Sequence, residues 1–128
     1  MEREIFSDPW SASAFGDLQA ALFLVAELET GVIGYLVGRA AADEGEILNL
    51  AIGPGHRGRG IGRALVDHAL ATFREQGVTT VYLEVRDSNG IAQRFYQGVG
   101  FKEVGRRRGY YDRPREDARI LALEIGRA

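Results

Sequence analysis

A glycine-rich turn between a predicted strand and a predicted helix is the feature that most constrains how this chain folds. The run Arg57-Gly58-Arg59-Gly60-Ile61-Gly62 follows the strand-like segment Ile47 to Ile52 and precedes apolar residues at helical spacing up to Phe73. Glycine makes up 17 of the 128 residues, and five of them fall between Gly53 and Gly62. Average proteins contain roughly 7% glycine, so this local excess indicates a turn whose backbone approaches a ligand closely.

The predicted ligand of this turn is an anion the size of a pyrophosphate. Consecutive backbone N–H groups, the positive end of a helix dipole and the side chains of Arg57, Arg59 and Arg63 all favour negative charge there. The turn is not a P-loop, because no Gly-Lys-Ser/Thr follows. It is not a dinucleotide fingerprint either, because no acidic residue about 20 positions on ends a neighbouring strand. From the spacing alone, a tight turn with solvated arginines remains the alternative.

The order of predicted elements, α-β-β-β-α-β-α-β-β, indicates one α/β (α+β) domain. A mixed, mostly antiparallel sheet flanked by helices accommodates that order, with one β-α-β crossover in the middle. The predicted elements are a helix near Ser11 to Asp17, strands Leu22–Leu28, Val32–Arg39 and Ile47–Ile52, a helix from Ile61 that ends before Gly77, a strand Thr79–Val85, a helix Asn89–Val99, and strands Phe101–Arg106 and Arg119–Ile125.

Composition excludes several classes of protein. The chain has no cysteine, which excludes disulfides, thiolate nucleophiles and cysteine-held metals. Its two histidines, His56 and His68, have no partner pattern, so we expect no metal. A net charge of −2 argues against a broadly basic nucleic-acid binder, and no apolar run reaches the ~18 residues of a membrane span. Met1 is followed by charged residues rather than a signal sequence, so we expect a cytoplasmic protein.

Two polar side chains inside otherwise apolar elements are candidates for catalysis. Glu84 interrupts the predicted strand Thr79–Val85, where a carboxylate is either ion-paired, with Arg86 or Arg94, or a general base. Tyr96 lies on the following helix. It is either a core aromatic whose hydroxyl bonds locally or a proton donor to a leaving thiolate. The residues alone leave both choices open.

These elements together resemble the GNAT (GCN5-related N-acetyltransferase) superfamily. Its pyrophosphate signature, Gln/Arg-x-x-Gly-x-Gly/Ala after a strand, matches Arg57-x-x-Gly60-x-Gly62. Further segments resemble the bacterial ribosomal-protein-alanine N-acetyltransferases over nearly the whole chain. They are Pro9-Trp10-Ser11, Ile47 to Pro54, Leu83 to Asn89, Phe95 to Phe101, Arg107 to Tyr111 with its Tyr-Tyr pair, and Glu116-Asp117-Ala118.

The resemblance implies a role for each matching residue. Glu84 would be the general base, acting through water, and Tyr96 the general acid that protonates the coenzyme A thiolate. Tyr110 and Tyr111 would line the entrance for a peptide substrate. The residues implied to hold acetyl-CoA are Leu50, Ala51, Ile52, Arg57, Gly58, Arg59, Gly60, Ile61, Gly62, Arg63 and Asn89.

The implied activity is acetyl-CoA-dependent acetylation of a protein N-terminal α-amine, such as the N-terminal alanine of a ribosomal protein, by direct transfer. An α-amine is roughly one-tenth neutral at pH 7, whereas a lysine side chain is neutral only a few times in ten thousand. One modest base therefore suffices for the α-amine. The alternatives are a small-molecule amine as acceptor, or an acetyl-CoA-binding module with little catalysis.

The chain departs from the family pattern near its start. The family places a first strand and the beginning of a helix before the Pro-Trp-Ser motif, but this sequence has eight residues before Pro9. We therefore expect residues 1–128 to form a single GNAT domain that is N-terminally short and lacks the first strand. An exposed sheet edge would then favour pairing into a homodimer. Gly98 replaces a better helix former, which would loosen the helix that carries Tyr96.

A basic cluster surrounds the Tyr-Tyr pair near the end of the chain. One interpretation is contact with ribosomal RNA or a ribosomal protein. The other is a solvated loop whose charge is partly neutralised by Asp112, Glu116 and Asp117, which the charge pattern favours. The cluster consists of Arg106, Arg107, Arg108, Arg113 and Arg115.

Overall fold

A computed structural model describes residues 5–7 and 20–126 of the protein. These residues form seven strands, two helices and a short 3₁₀ turn at Pro54–His56. The strands are β1 (Ile5–Ser7), β2 (Ala20–Leu28), β3 (Gly31–Ala41), β4 (Glu44–Ile52), β5 (Thr80–Arg86), β6 (Lys102–Tyr111) and β7 (Glu116–Glu124), and the helices are α1 (Ile61–Glu75) and α2 (Gly90–Val99).

One sheet contains all seven strands in the order β1-β2-β3-β4-β5-β7-β6. Every neighbouring pair is antiparallel except β4 and β5, which are parallel and joined through α1. This arrangement confirms the predicted mixed, mostly antiparallel sheet flanked by helices. A parallel pair needs a crossover connection, and the glycine turn with α1 is that crossover.

The expectation of a missing first strand needs a correction. Ile5–Ser7 forms a three-residue strand that pairs antiparallel with β2, Ile5 opposite Glu27 and Ser7 opposite Val25. Three residues are too few to show the period-two alternation by which a strand is read from sequence. The helix predicted near Ser11 to Asp17 lies outside the described residues.

The core lies between one face of the sheet and the two helices. Helix α1 buries a stripe at helical spacing and packs on β2, β3 and β4. Phe73 fills a space that glycines leave open. A Cβ on Gly38 would come within 3.1 Å of its ring, and one on Gly45 within 3.2 Å. Some of the glycine excess therefore serves close packing of α1 on the sheet rather than turns.

Strands β4 and β5 separate partway along their length. Their parallel pairing runs from Glu44 opposite Thr80 to Ile47 opposite Leu83 and ends there, although β4 continues to Ile52. At the same point the β3–β4 register skips Leu48, which is a β-bulge. The bulge turns the end of β4 away from β5, and the sheet opens at the residue before Glu84.

Candidate active site

The glycine turn has the backbone shape that the sequence predicts for an anion cradle. Gly58 and Gly60 both adopt a φ of 78°, in the left-handed region, and Gly60 is the N-cap residue of α1. A Cβ added at either glycine would meet nothing within 4 Å, so backbone conformation, not crowding, requires glycine there. Helix α1 begins at Ile61, and its first bond back to the turn runs from the Ala64 N–H to the Gly60 carbonyl oxygen, so the N–H groups of residues 61–63 have no partner within the helix. Those donors are free to bind an anion.

The arginines of the turn have local contacts at exposed positions. Arg57 donates from Nε to the Ile52 carbonyl oxygen at 3.3 Å, which ties the turn to the end of β4. Arg59 lies 3.0 Å from Nδ1 of His56, and Arg63 pairs with Asp67 one helical turn on, at 3.1 Å. Surface pairs of this kind contribute little stability, so these side chains can exchange partners for a bound anion.

The end of β4 supplies an open backbone edge beside the turn. Leu50, Ala51 and Ile52 pair with β3 on one side, opposite Leu36, Tyr35 and Gly34. On the other side the pairing with β5 has already ended. This edge faces the opening in the sheet and leads directly into the 3₁₀ turn and the glycine turn.

Glu84 lies on β5 immediately after the two strands separate. Its neighbours Leu83 and Val85 point into the core, so Glu84 points to the opposite face of the sheet. The side chain is 16% exposed, and its Oε2 is buried and accepts no hydrogen bond from the described residues. The described ion pair of Glu84 joins Oε2 to Nε of Arg107 at 3.5 Å. Neither Arg86 nor Arg94, the partners considered from the sequence, forms that pair.

Tyr96 belongs to the core on the helical face. It is 7% exposed, and its ring makes edge-to-face contacts with Phe95 and Phe101 at 5.0 and 5.5 Å between centroids. Burial raises the pKa of its hydroxyl to about 12, so this group keeps its proton at neutral pH. Helix α2 runs unbroken through Gly98, where a helix-weakening effect was expected.

Glu84 and Tyr96 therefore lie on opposite faces of the sheet. A ligand that contacts both side chains must lie in the opening between β4 and β5, because the paired part of the sheet separates its two faces. A base on one face and a proton donor on the other suit a reaction in which a proton leaves one reactant and another proton joins the departing group.

Asn89 has a structural role that accounts for one of its two polar atoms. It is the N-cap of α2, and its side-chain oxygen accepts a hydrogen bond from the Ala92 N–H at 3.0 Å. The residue is exposed, and its amide nitrogen remains available to a ligand near the start of α2.

The two tyrosines at the end of β6 lie on the face that carries Glu84. Tyr110 is 50% exposed and packs edge-to-face on Tyr111 at 5.0 Å. The Arg86 guanidinium sits 4.3 Å from the centre of the Tyr111 ring. Burial raises the pKa of the Tyr111 hydroxyl, and the negative charge of Glu84 raises it further. The candidate base and the candidate acceptor-binding tyrosine thus share one electrostatic environment.

The sequence predicts that Glu116 and Asp117 neutralise part of the basic loop, but it does not predict that they hold the β6–β7 hairpin. Glu116 accepts hydrogen bonds from Arg86 at 3.2 Å and from the Ser88 hydroxyl at 3.0 Å. Asp117 accepts from the N–H of Gly109, whose φ is 60°, at 2.9 Å, and this bond holds the pKa of Asp117 below its usual range, helped by Arg106. The Glu-Asp pair of the family motif therefore fixes the Tyr-Tyr segment against β5.

Ion pairing in the basic cluster agrees with a partly neutralised loop. Arg106 contacts Asp117 at 3.3 Å and Asp87 at 3.5 Å, while Arg113 contacts its exposed neighbour Asp112 at 4.0 Å. Contact of this cluster with RNA or a ribosomal protein stays a prediction.

A cavity of about 330 Å³ lies on the Glu84 face of the sheet. Its lining includes Arg39, Glu46, Tyr82, Glu84, Arg107 and Ile120. Arg39 and Glu46 pair with each other across β3 and β4 at 2.8 Å. The cavity therefore presents polar groups of both signs beside the candidate base. No helix among residues 5–7 and 20–126 is long and apolar enough to cross a membrane.

Comparison with known proteins finds a matching family model and similar sequences. Residues 1–101 match the model of the acetyltransferase (GNAT) family. The chain is 35% identical over 129 residues to the [ribosomal protein bS18]-alanine N-acetyltransferase of Escherichia coli K12, covering 98% of this chain and 87% of that protein.

Solved structures show the same relationship. The crystal structure of the ribosomal-protein-S18-alanine N-acetyltransferase from Escherichia coli superimposes with a TM-score of 0.83 at 30% identity, covering 98% of this chain and 96% of that one. The PaiA N-acetyltransferase of Thermoplasma acidophilum in complex with coenzyme A superimposes with a TM-score of 0.70 at 26% identity, over 82% of this chain and 61% of that one.

Proposed function

This chain belongs to the acetyltransferase (GNAT) family, and we propose that it transfers the acetyl group of acetyl-CoA to the α-amine of a protein N-terminus. One observation carries the proposal. Glu84 holds a buried carboxylate oxygen, without a described hydrogen bond, at the residue after the sheet opens. A hydrogen-bond acceptor in that position is available to the proton of an incoming amine.

The open end of β4 and the glycine turn fit coenzyme A. The left-handed glycines of the turn and the N–H groups at the start of α1, residues 61–63, suit its pyrophosphate. The unpaired edge of Leu50, Ala51 and Ile52 suits the amide groups of its pantetheine arm, as a strand edge accepts another chain. Asn89 lies at the start of α2, and its amide nitrogen would contact coenzyme A near its thiol end.

Acetyl-CoA supplies the acetyl group as an activated thioester. Glu84, directly or through one water, accepts the proton that the amine nitrogen loses as it bonds to the acetyl carbon. Tyr96 gives its hydroxyl proton to the sulfur as the carbon–sulfur bond breaks, and it recovers a proton from solvent. The products are the acetylated amine and coenzyme A thiol. Because burial raises its pKa to about 12, Tyr96 is protonated when the cycle begins.

The proposed acceptor is the N-terminal alanine of a ribosomal protein, which Tyr110 and Tyr111 would position. The relative from Escherichia coli is named for that alanine on protein bS18, and it is similar to this chain over nearly its full length. An α-amine is also the acceptor that a single carboxylate base serves best, because roughly a tenth of it is neutral at pH 7.

A peptide with two different amines tests the proposal. The peptide carries a free N-terminal alanine and one internal lysine, and tandem mass spectrometry locates any acetyl group after incubation with acetyl-CoA. We expect acetylation of the α-amine and none of the lysine. Transfer to a small amine such as a polyamine, with none to the peptide, would replace the proposed acceptor. Binding of coenzyme A with no transfer to any amine would leave only a binding module.

A further inference from the structure

We propose that Arg107 is a positioning residue that holds the Glu84 carboxylate beside the opening and links it to the Tyr110 ring. The inference rests on the proposed function, and it concerns a residue that contacts the base rather than the reacting atoms. Arg107 lines the same cavity as Glu84, on the face of the sheet opposite the helices.

The first observation is that the buried oxygen of Glu84 has an ion pair but no hydrogen bond. Oε2 is buried and lacks a hydrogen bond among the described residues, and Nε of Arg107 lies 3.5 Å away. Burying a carboxylate oxygen without a hydrogen bond costs free energy, and a nearby positive charge offsets part of that cost. Arg107 provides that charge while leaving the oxygen free to accept a proton from the amine.

The second observation is how Arg107 is held. Its backbone is opposite Ala118 in the β6–β7 ladder, and the register breaks between Arg107 and Tyr111. Its guanidinium lies 5.3 Å from the centre of the Tyr110 ring, within the range of a cation–π contact. Backbone pairing and the aromatic ring thus set the position of a side chain that is otherwise 57% exposed.

The third observation is the state of the other charged groups facing Glu84. From β3 and β4, Arg39 and Glu46 pair with each other at 2.8 Å. From β5, Arg86 pairs with Glu116 at 3.2 Å. Lys102 of β6 is on the same face, opposite Ala122, but it does not line the cavity that contains Glu84 and Arg107. The remaining facing groups are Tyr82, Tyr111 and Glu44, none of which is a cation. Among the described residues, Arg107 is therefore the cation directed at this carboxylate.

The test is the pH profile of kcat/KM for the alanine peptide in Arg107→Gln, divided by the wild-type profile. Division cancels the titration of the peptide amine, which is common to both enzymes. Loss of the cation makes protonation of the base easier. We expect the ratio to fall about tenfold between the neutral and the acidic end of the profile, since a nearby opposite charge shifts a carboxyl by about one pH unit or more.

Two matched variants make the result specific. Arg107→Lys keeps the charge, so its ratio should stay flat within about twofold. Arg108→Gln removes one arginine from the adjacent position of β6, whose side chain points away from Glu84 by the strand alternation, and its ratio should also stay flat. Tyr110→Leu removes the ring beneath the guanidinium, and any loss of peptide binding that is independent of pH lowers the ratio equally across the profile. Its ratio should therefore change with pH in the same direction as for Arg107→Gln, but less.

The outcomes separate this inference from the proposed function. An active wild type together with a flat ratio for Arg107→Gln overturns the role of Arg107 and leaves the acetyltransferase activity standing. A wild type that transfers nothing to any α-amine overturns both. If Arg107→Gln no longer binds coenzyme A, the Tyr110→Leu ratio decides, and a flat ratio there overturns the inference.

Discussion

The two sides of the opening between β4 and β5 are built from different parts of the chain. The β4 side consists of backbone, with unpaired strand amides, two left-handed glycines and the free N–H groups of a helix start. The β5 side consists of side chains, with a buried carboxylate, a buried tyrosine and the tyrosine pair of the β6–β7 hairpin. Backbone groups do not titrate, so the proposed proton transfers belong to the β5 side.

The difference also concerns distance along the chain. Residues 50–63 form the β4 side in one continuous stretch. The β5 side joins Glu84, Tyr96, Arg107 and Glu116 from four separate elements. A change on the β4 side should therefore affect binding of coenzyme A, and a change on the β5 side should affect transfer.

Replacement of the base is the most severe test of that division. Glu84→Gln keeps the shape of the side chain and removes its ability to take a proton, so kcat/KM should fall by about 10²-fold or more. Calorimetric titration should show coenzyme A binding unchanged within about twofold. Activity within threefold of wild type would end the case for Glu84 as the base.

The free energy of unfolding at alkaline pH tests whether the packing around Tyr96 excludes water. The pKa of Tyr96 is raised from 10.0 to about 12 in the folded protein. Its contribution is thus fully present below pH 10 and is lost as pH rises to 12, by about 1.4 kcal/mol per pH unit. Urea unfolding at pH 8 and pH 11 should show this loss in wild type and not in Tyr96→Phe. The exposed-site variant Tyr110→Phe should behave as wild type does.

The β4 side is tested at its left-handed glycine. Gly60→Ala places a Cβ at a φ of 78°, which costs about 1–2 kcal/mol. The turn should relax to another conformation, and the Kd of coenzyme A should rise about tenfold. Gly55→Ala is the matched control, because Gly55 lies in the same segment, has open space around it and has no left-handed φ. Equal effects of the two variants would show that conformation is not what the turn contributes.

The smallest expected effect concerns the anchor of the tyrosine pair. Asp117→Ala removes the acceptor for the Gly109 N–H and the partner of Arg106. The KM for the alanine peptide should rise about threefold, with no change in the Kd of coenzyme A. Asp112→Ala, at an exposed hairpin residue, should change neither quantity. A rise in the coenzyme A Kd instead would mean that the hairpin supports both sides of the opening.

Much of the fold could be predicted because its signals are local. Apolar spacing marks α1, and the ends of α1 and α2 lie within one residue of their predicted positions. The short strand β1 and the position of β7 between β5 and β6 could not be predicted. Strand order depends on which edges meet in three dimensions, and periodicity along one strand contains no information on its neighbours.

The same limit applies to the site. The glycine turn could be predicted, because glycine spacing directly reports a backbone conformation. The partner of Glu84 could not, since Arg107 is 23 positions away and reaches it only through the pairing of β5, β7 and β6. The sequence indicated Arg86 and Arg94 as partners because they are close to Glu84 along the chain. Closeness along the chain does not show which residues meet across a sheet.

The sheet has two halves, β1 to β4 and β5 to β7, and they are joined by only four residue pairs between β4 and β5. A ligand bound between the open ends of β4 and β5 would lie beyond these pairs, so it could change the angle between the two halves. Ile47 and Leu83 form the last of these four pairs and are both buried, so we expect a substitution at either residue to change the angle between the two halves more than one at an outer strand. The width of the opening would then depend on buried core residues that do not contact the ligand.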